Sequence, residues 1–325
     1  MVSVLPSPST STPTGPVAQT KPVTQTKPNV QVNPNVQVKP NVPVTLSVSP
    51  SRIIEGDPVM IVINGTSSID AVKSATLTAS GPNITDGNAT VSLHFFDYQN
   101  KPTVFYGTGI NQKTGAATVT VVMKDGTKLS ADFTIGKRIS PTESLPVPEQ
   151  LGGNSTSSQQ QLVTNLSAEN AIIANVYSNP TMSFWIAPFS WPIHTADVSG
   201  GIIITDTFGY NRDSGAETIV HKGADFKAPP GTPVYTVNAG YVRVTRLFTI
   251  YGNTVIVDHG MGIQSFYMHL SKISVKPGDP VKKGQLVGYS GETGYSEGPH
   301  LHLTIRIGGV SIDPMAFYSF FGLKP

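Results

Sequence analysis

The sequence predicts an all-β protein with two folded domains, on three observations. Glycine (31 of 325 residues) and proline (27) are both abundant, which favours turns and strands over long helices. Short runs of apolar and polar residues, bounded by Gly, Pro, Asn and Asp, recur through the middle and the end of the chain. After residue 181 no helix-length amphipathic pattern interrupts them. The length agrees with two domains at about 150 residues each.

Composition narrows the function classes. Charged residues make up only 13% of the chain and the net charge is +2, so there is no electrostatic case for a nucleic-acid partner. The absence of cysteine excludes disulfide frameworks, thiolate zinc sites and cysteine nucleophiles. It also fits an oxidising, extracytoplasmic setting. No apolar run approaches 18 residues, so no transmembrane segment is expected. Met1–Pro6 lacks a basic segment followed by an apolar stretch, so no export signal is expected in this chain.

Residues 1–45 contain no aromatic and no acidic residue. From Lys21 a six-residue period runs KPVTQT, KPNVQV, NPNVQV, KPNVPV, marked by Pro22, Pro28, Pro34 and Pro40. Spaced prolines favour an extended chain without a packed core, so this stretch reads as a disordered spacer. Residues 46–137 hold VMIVING, SATLTAS, VSLHFFDY, TVFYGTG, ATVTVVM and KLSADFTI, six or seven short strands between turns. The last two form a hairpin around Asp125-Gly126. This spacing predicts an immunoglobulin-like β-sandwich with no titratable cluster, hence a positioning role. Residues 138–180 are a linker, Pro-, Gly- and Ser-rich at first. Leu162, Leu166, Ile172, Ile173 and Val176 then recur at helical spacing and predict one short helix. Residues 181–325 return to strands, among them TPVYTV, GYVRVTRLF, NTVIVDHG, GIQSFYMHL and LHLTIRI.

Six of the seven histidines fall in that last stretch. In His300–Ile307, Leu301, Leu303, Ile305 and Ile307 point into a core, while His300, His302, Thr304 and Arg306 share the other face. Imidazoles at i and i+2 lie about 7 Å apart on that face, close enough to serve one site, although an H-x-H pair alone is a weak signal. In His221-Lys222-Gly223-Ala224-Asp225, the histidine and the aspartate also share a face of an extended strand. Gly223 and the following Ala-Pro-Pro-Gly argue against a helix there. Neutral imidazole and carboxylate suit zinc. Ser265, Tyr267 and His269 share a face of a third strand by the same period of two. Gly288, Gly291, Gly294 and Gly298 lead into the H-x-H strand, where tight turns let backbone approach a ligand.

Taken together, these pieces resemble the lysostaphin-like, or LytM-type, zinc endopeptidases of bacterial cell walls. The likeness covers about residues 201–315, with FGYNR, HKGADF, APPGTPV, GYV, GNTVIVDHG, Y-x-HL, VKPGDPVKKGQLVG, S-G-x-TG and GPHLH in the family's order. It implies a compact, antiparallel β-rich LytM-type peptidase domain with an open groove. It implies one catalytic Zn2+ held by His221, Asp225 and His302, and it maps the remaining catalytic histidines to His269 and His300. Three protein ligands leave a fourth tetrahedral position for water, whose pKa zinc lowers to about 7. One unliganded histidine accepts the water proton and the other donates to the oxyanion. We assign His300 as the base and His269 as the oxyanion partner, an order that sequence does not fix. Leu303 stands where the family often has an aromatic, Thr304 where an acid is frequent, and Glu297 where a small polar residue is common. All five functional positions are retained, so an active site is expected.

Asn211, Arg212 and Tyr267 are groove candidates. By resemblance Asn211 and Arg212 line the groove or touch the metal loop; the alternative is a structural hydrogen-bonding pair. His259 reads as a satisfied structural histidine, His194 as an ordinary loop residue and His94 as a packed or edge residue. Trp185 and Trp191 read as linker packing, with a sugar-stacking surface as the alternative. The function expected is an extracytoplasmic zinc metalloendopeptidase that hydrolyses peptide cross-links of peptidoglycan, either glycine-rich bridges or direct cross-links. The alternative is a catalytically silent wall-binding or amidase-activating protein.

Overall fold

The computed structural model describes residues 42–79, 90–144, 146–147, 149, 152–176, 183–185 and 188–323. The proline-marked hexads lie outside these residues.

The first half is a two-sheet β-sandwich. One sheet runs β1 (Thr45–Ser49), β3 (Pro58–Asn64), β7 (Lys101–Gly107), β6 (Phe96–Tyr98), all antiparallel. The other runs β2 (Arg52–Ile54), β9 (Lys128–Gly136), β8 (Gly115–Met123), β4 (Val72–Ala79), β5 (Thr90–Ser92), with β2 parallel to β9. Alternation explains their packing. Val59, Ile61 and Ile63 of β3 face Leu77, Val119, Val121, Phe133 and Ile135 of the second sheet in one apolar core. The expected hairpin is β8–β9, turning at Asp125-Gly126. VSLHFFDY is split between β5 and β6 of different sheets, and β1 and β2 add to the predicted strands.

The second half is built on an eight-stranded antiparallel sheet. Its order is β11 (Ile204–Asp206), β14 (Ala224–Lys227), β22 (His300–Ile307), β18 (Ile263–Leu270), β17 (Gly252–Gly260), β16 (Gly240–Phe248), β20 (Pro280–Val281), with β23 (Val310–Ile312) also on β22. A small sheet of β15 (Pro233–Tyr235), β21 (Leu286–Tyr289) and β19 (Lys272–Ile273) flanks it. Another joins β10 (Thr142–Ser144) in parallel to β12 (Asn211–Asp213), which pairs with β13 (Thr218–Val220). On β22, Leu301, Leu303, Ile305 and Ile307 enter the core, as the period of two requires.

Among the described residues two α-helices complete the fold. The linker helix α1 (Thr156–Ala174) is longer than the short helix expected, at 19 residues. Ser155 caps it by accepting from Ser158 N. Its buried positions are Leu162, Glu169 and Ile173, so the inward stripe includes an acid while Ile172 turns outward. α2 (Pro314–Phe320) was not signalled by periodicity, because seven residues are too few for a pattern. Its start is nonetheless written locally: Asp313 caps it and Pro314 opens it.

The sandwich and the C-terminal sheets share an aromatic seam. Phe105 of β7 lies 6.0 Å from Trp185 and 5.5 Å from Phe321, ring centre to ring centre. Phe96 and Phe105 belong to the same apolar cluster as Phe226, Leu301 and Phe317. Gly107 permits the close approach, since a Cβ there would sit 2.7 Å from Ile312 Cγ2. Trp185 is buried in this seam, and Trp191 packs on Tyr318 and Phe226 of the C-terminal half.

Candidate functional site

The face of the main sheet opposite the core carries the chemistry. Register places Asp225 directly across from His302 on β14 and β22. His302 Nδ1 is 2.8 Å from Asp225 Oδ1. His221, just after β13, brings its Nε2 to 3.2 Å from the same oxygen and 3.0 Å from His302 Nδ1. Gly223 makes room: a Cβ there would lie 2.4 Å from His302 Nε2 and 2.5 Å from Leu303 O.

The outer hydrogen bonds decide what the three inner atoms are. His221 Nδ1 donates to the Thr207 carbonyl at 2.9 Å, which leaves Nε2 as a lone pair. The Thr304 hydroxyl donates to Lys222 O at 3.1 Å, so it accepts from His302 Nε2 at 2.9 Å, leaving His302 Nδ1 as a lone pair. Two imidazole lone pairs and a carboxylate oxygen therefore converge. Tetrahedral zinc with ligands at 2.0–2.1 Å spaces them by roughly 3.3 Å, close to what is seen. This donor set fits a borderline cation such as zinc, with outer partners that orient each ligand. Burial lowers the His302 pKa to about 4, against the pull of Asp225. Burial by itself would raise the Asp225 pKa, but His221 and His302 hold it well below the ordinary carboxylate value.

Arg212 buttresses the cluster. Its Nη2 donates to Asp225 Oδ2 at 2.9 Å and pairs closely with Asp206, while Nε lies 3.7 Å from Glu143 of β10. Asp206 also lies 3.4 Å from His221 Nδ1. Asp206 and Thr207 were not singled out in the sequence, because the register of β11 on β14 brings them here.

His269 and His300 stand beside the cluster with ring centres 4.8 Å apart. His300 Nδ1 donates to Gly298 O at 2.8 Å and its Nε2 lies 3.7 Å from Asp225 Oδ1. His269 Nδ1 donates to Thr293 O at 2.8 Å. In their neutral forms both rings thus present Nε2 as an acceptor. Burial, then the His300 and His302 charges, lowers the His269 pKa to about 3.

Two groove candidates need correction. Tyr267 is fully buried on the core side, where its hydroxyl meets Val237 N and Ser265 Oγ, and it lies away from the groove. A strict period of two puts it with His269. His269 has φ 59°, which breaks the alternation and turns its ring to the opposite face from Tyr267. Asn211 does not line the cavity either; its side chain donates to Ser140 O at 3.4 Å, while its neighbour Arg212 does line it. Outside the site, His259 is fully buried between Ala239 O and Ser265 Oγ, both at 2.8 Å. His194 stacks on Tyr235, ring centres 4.0 Å apart.

A cavity of about 520 Å³ opens in front of the cluster, lined by His221, His269 and His302. Helix α1 forms one side through Leu162, Leu166 and Asn170. It is bolted there by Glu169, whose carboxylate accepts from Thr249 N, Ile250 N and Tyr251 N at 2.6–3.3 Å. Glu169 gave no signal as the lone acid of a polar helix.

Residues 219–314 match the family described as Peptidase family M23. Peptidoglycan DD-endopeptidase ShyA of Vibrio cholerae is 46% identical over 95 residues, which is 29% of this chain and 22% of that protein. DD-carboxypeptidase/endopeptidase Mpg of Neisseria meningitidis is 38% identical over 114 residues, 35% of this chain and 26% of that one. The chain thus spans about a quarter of the length of these curated relatives. A solved structure described as a putative peptidase M23 from Pseudomonas aeruginosa superposes with a TM-score of 0.53 at 23% identity, covering 82% of this chain and 94% of that one. That likeness is one of fold, and it extends beyond the matched 219–314 segment.

Proposed function

With residues 219–314 as a peptidase family M23 domain for premise, we propose that the chain is a zinc metalloendopeptidase that hydrolyses peptide cross-links of peptidoglycan outside the cytoplasm. The observation that carries this reading is the convergence of three lone pairs beside two further acceptor imidazoles. His221, Asp225 and His302 would hold the ion. Bound zinc supplies Lewis acidity, polarising a carbonyl and acidifying water. The rest is the work of the chain. His269 and His300 offer Nε2 acceptors side by side, which orient a water by its two protons. His300 takes the proton, being the more open ring with its side chain 18% exposed. His269 holds the water in line, and it would donate to an oxyanion only after taking a proton itself. Arg212 keeps Asp225 aimed, and the α1 wall keeps bulk water from the cleft.

We assign residues 181–325 to the peptidase domain, 46–137 to an immunoglobulin-like module that sets reach, 138–180 to the linker and 1–45 to a spacer. The curated relatives supply the substrate class, since both are named as endopeptidases and one as acting on peptidoglycan.

The test is digestion of purified peptidoglycans of several cross-link types, read by product mass spectrometry, with bound zinc quantified. Wild type is expected to cut and His300→Ala to retain zinc without cutting. Stoichiometric zinc with no wall type cut would favour the silent wall-binding alternative. Absence of zinc binding would overturn the ligand assignment.

A further inference from the structure

The cavity wall carries more positive charge than the ion site uses. Three cations, Arg212, Lys222 and Arg306, and one acid, Glu217, line it among the described residues. Arg212 is matched by Asp206 and Asp225. Arg306 is not so matched. Its Nε donates to Ser311 Oγ at 3.2 Å and its guanidinium lies 4.9 Å over the Phe266 ring. Neither Arg306 nor Lys222 has an Asp or Glu at ion-pair distance among the described residues.

That contrasts with the other half-buried arginines. Arg138 pairs with Asp57 and Asp313, Arg243 with Asp258, and Arg212 with its two aspartates. Each of these three half-buried guanidiniums is thus met by at least one aspartate, and Arg306 is the exception among the described residues. Arg306 and Lys222 are also close to each other: Thr304, two positions before Arg306, donates to Lys222 O, and the Arg306 charge reaches the Lys222 ammonium. Two like charges line one cleft with no acid at ion-pair distance among the described residues, an arrangement that favours an anion there. Packing on Phe266 and the bond to Ser311 fix the guanidinium, so its remaining N–H fork is preorganised for a planar, two-oxygen partner.

We propose that Arg306, with Lys222, forms a carboxylate subsite of the substrate cleft. It rests on the reading of this cleft as a peptide site and adds the chemistry by which the peptide is chosen. Arg306 lies on the same face of β22 as His302, four residues along, or about 13 Å. The carboxylate it takes is therefore a terminal or branch carboxylate several bonds from the scissile amide. Peptides bearing such a group, as direct cross-links do, are preferred over neutral glycine-rich bridges.

The test uses the full chain as His300→Ala, zinc-loaded, so that the peptide is bound without being cut. The probes are a synthetic cross-linked peptide dimer with a free C-terminal carboxylate, its carboxamide counterpart, and inorganic phosphate as competitor. Binding is read by calorimetry at low and moderate salt. The carboxylate peptide is expected to bind at least 10-fold more tightly than the carboxamide. Adding Arg306→Gln should abolish that difference while leaving carboxamide binding unchanged, and Arg306→Lys should restore part of it. Equal binding of the two peptides overturns the subsite. So does an equal loss for both in Arg306→Gln, which marks a structural role, or equally strong competition by phosphate, which marks a generic anion site. If Arg306→Gln does not fold, Arg306→Lys and the carboxamide comparison decide. Wall cutting by the wild-type chain is read separately. Cutting without carboxylate preference sinks the subsite alone; preference without cutting sinks the peptidase reading alone.

Discussion

The two halves of this molecule use the same strand grammar for opposite ends. In the sandwich both sheets turn their apolar faces to each other, and only Glu55, Thr103 and Thr108 are buried polar residues among those described there. Each is tied to another group of the chain, as where Glu55 accepts from Lys137 and from Arg138 N. The C-terminal sheet also buries one apolar face, yet it encloses His221, Asp225, His269 and His302 on the other. Buried polar groups are costly unless satisfied. In the sandwich satisfaction is complete within the chain, whereas around Asp225 three acceptors face one another and call for a cation. The lesson is that an ordinary sheet becomes a site where satisfaction is left for something outside the chain to complete.

The largest effect expected sharpens that contrast directly. Asp225→Ala removes one of the three acceptors and should abolish both stoichiometric zinc and turnover, measured by metal analysis and wall digestion. Phe105→Ala tests whether the halves are energetically separate. It empties the aromatic seam and should cost about 3–5 kcal/mol. If the seam couples the halves, urea unfolding shifts as one transition; two transitions, only one of them shifted, would show independent halves.

Acid should find a weak point in the C-terminal half. Burial lowers the His259 pKa from 6.5 to about 4. Its folded value lies below the unfolded one, so the unfolded chain takes up the proton first as pH falls. The contribution, on the order of 3 kcal/mol, is whole above about pH 6.5 and is lost down to about pH 4. Urea titrations across that window should show the loss, and a pH-independent midpoint would contradict the buried neutral ring. Smaller again is Arg212→Met, which leaves the three ligands in place and should weaken zinc about 10- to 100-fold in competition with a chelator. Glu169→Gln removes the carboxylate over three backbone N–H groups and should cost about 1–3 kcal/mol. Hydrogen exchange should then rise in α1 before it rises in the main sheet.

Much of the site was legible because it is written in local pattern. His300 and His302 share a face through the period of two, and the HKGAD and GPHLH segments carried the resemblance. One misreading has a local cause. Alternation carried to the strand's end groups Tyr267 with His269, and a positive φ at His269 ends it one residue early. Glu169 and Asp206 left no trace, since a lone acid acquires meaning only from what register and docking set against it.

By itself, then, the sequence determined the all-β class, the hairpin at Asp125-Gly126 and the core face of β22, because side-chain alternation and turn chemistry act over a few residues; the proposed ligand set came only through the resemblance that HKGAD and GPHLH carry. Tertiary structure alone decided that Thr207 and Thr304 set the histidine tautomers, that α1 walls the cleft, that Arg212 is matched by an acid and Arg306, among the described residues, is not, and that Phe105 joins the two halves. Those outcomes depend on which strands lie side by side, and pairing over 80 residues or more, as between His221 and His302, is fixed by the whole core.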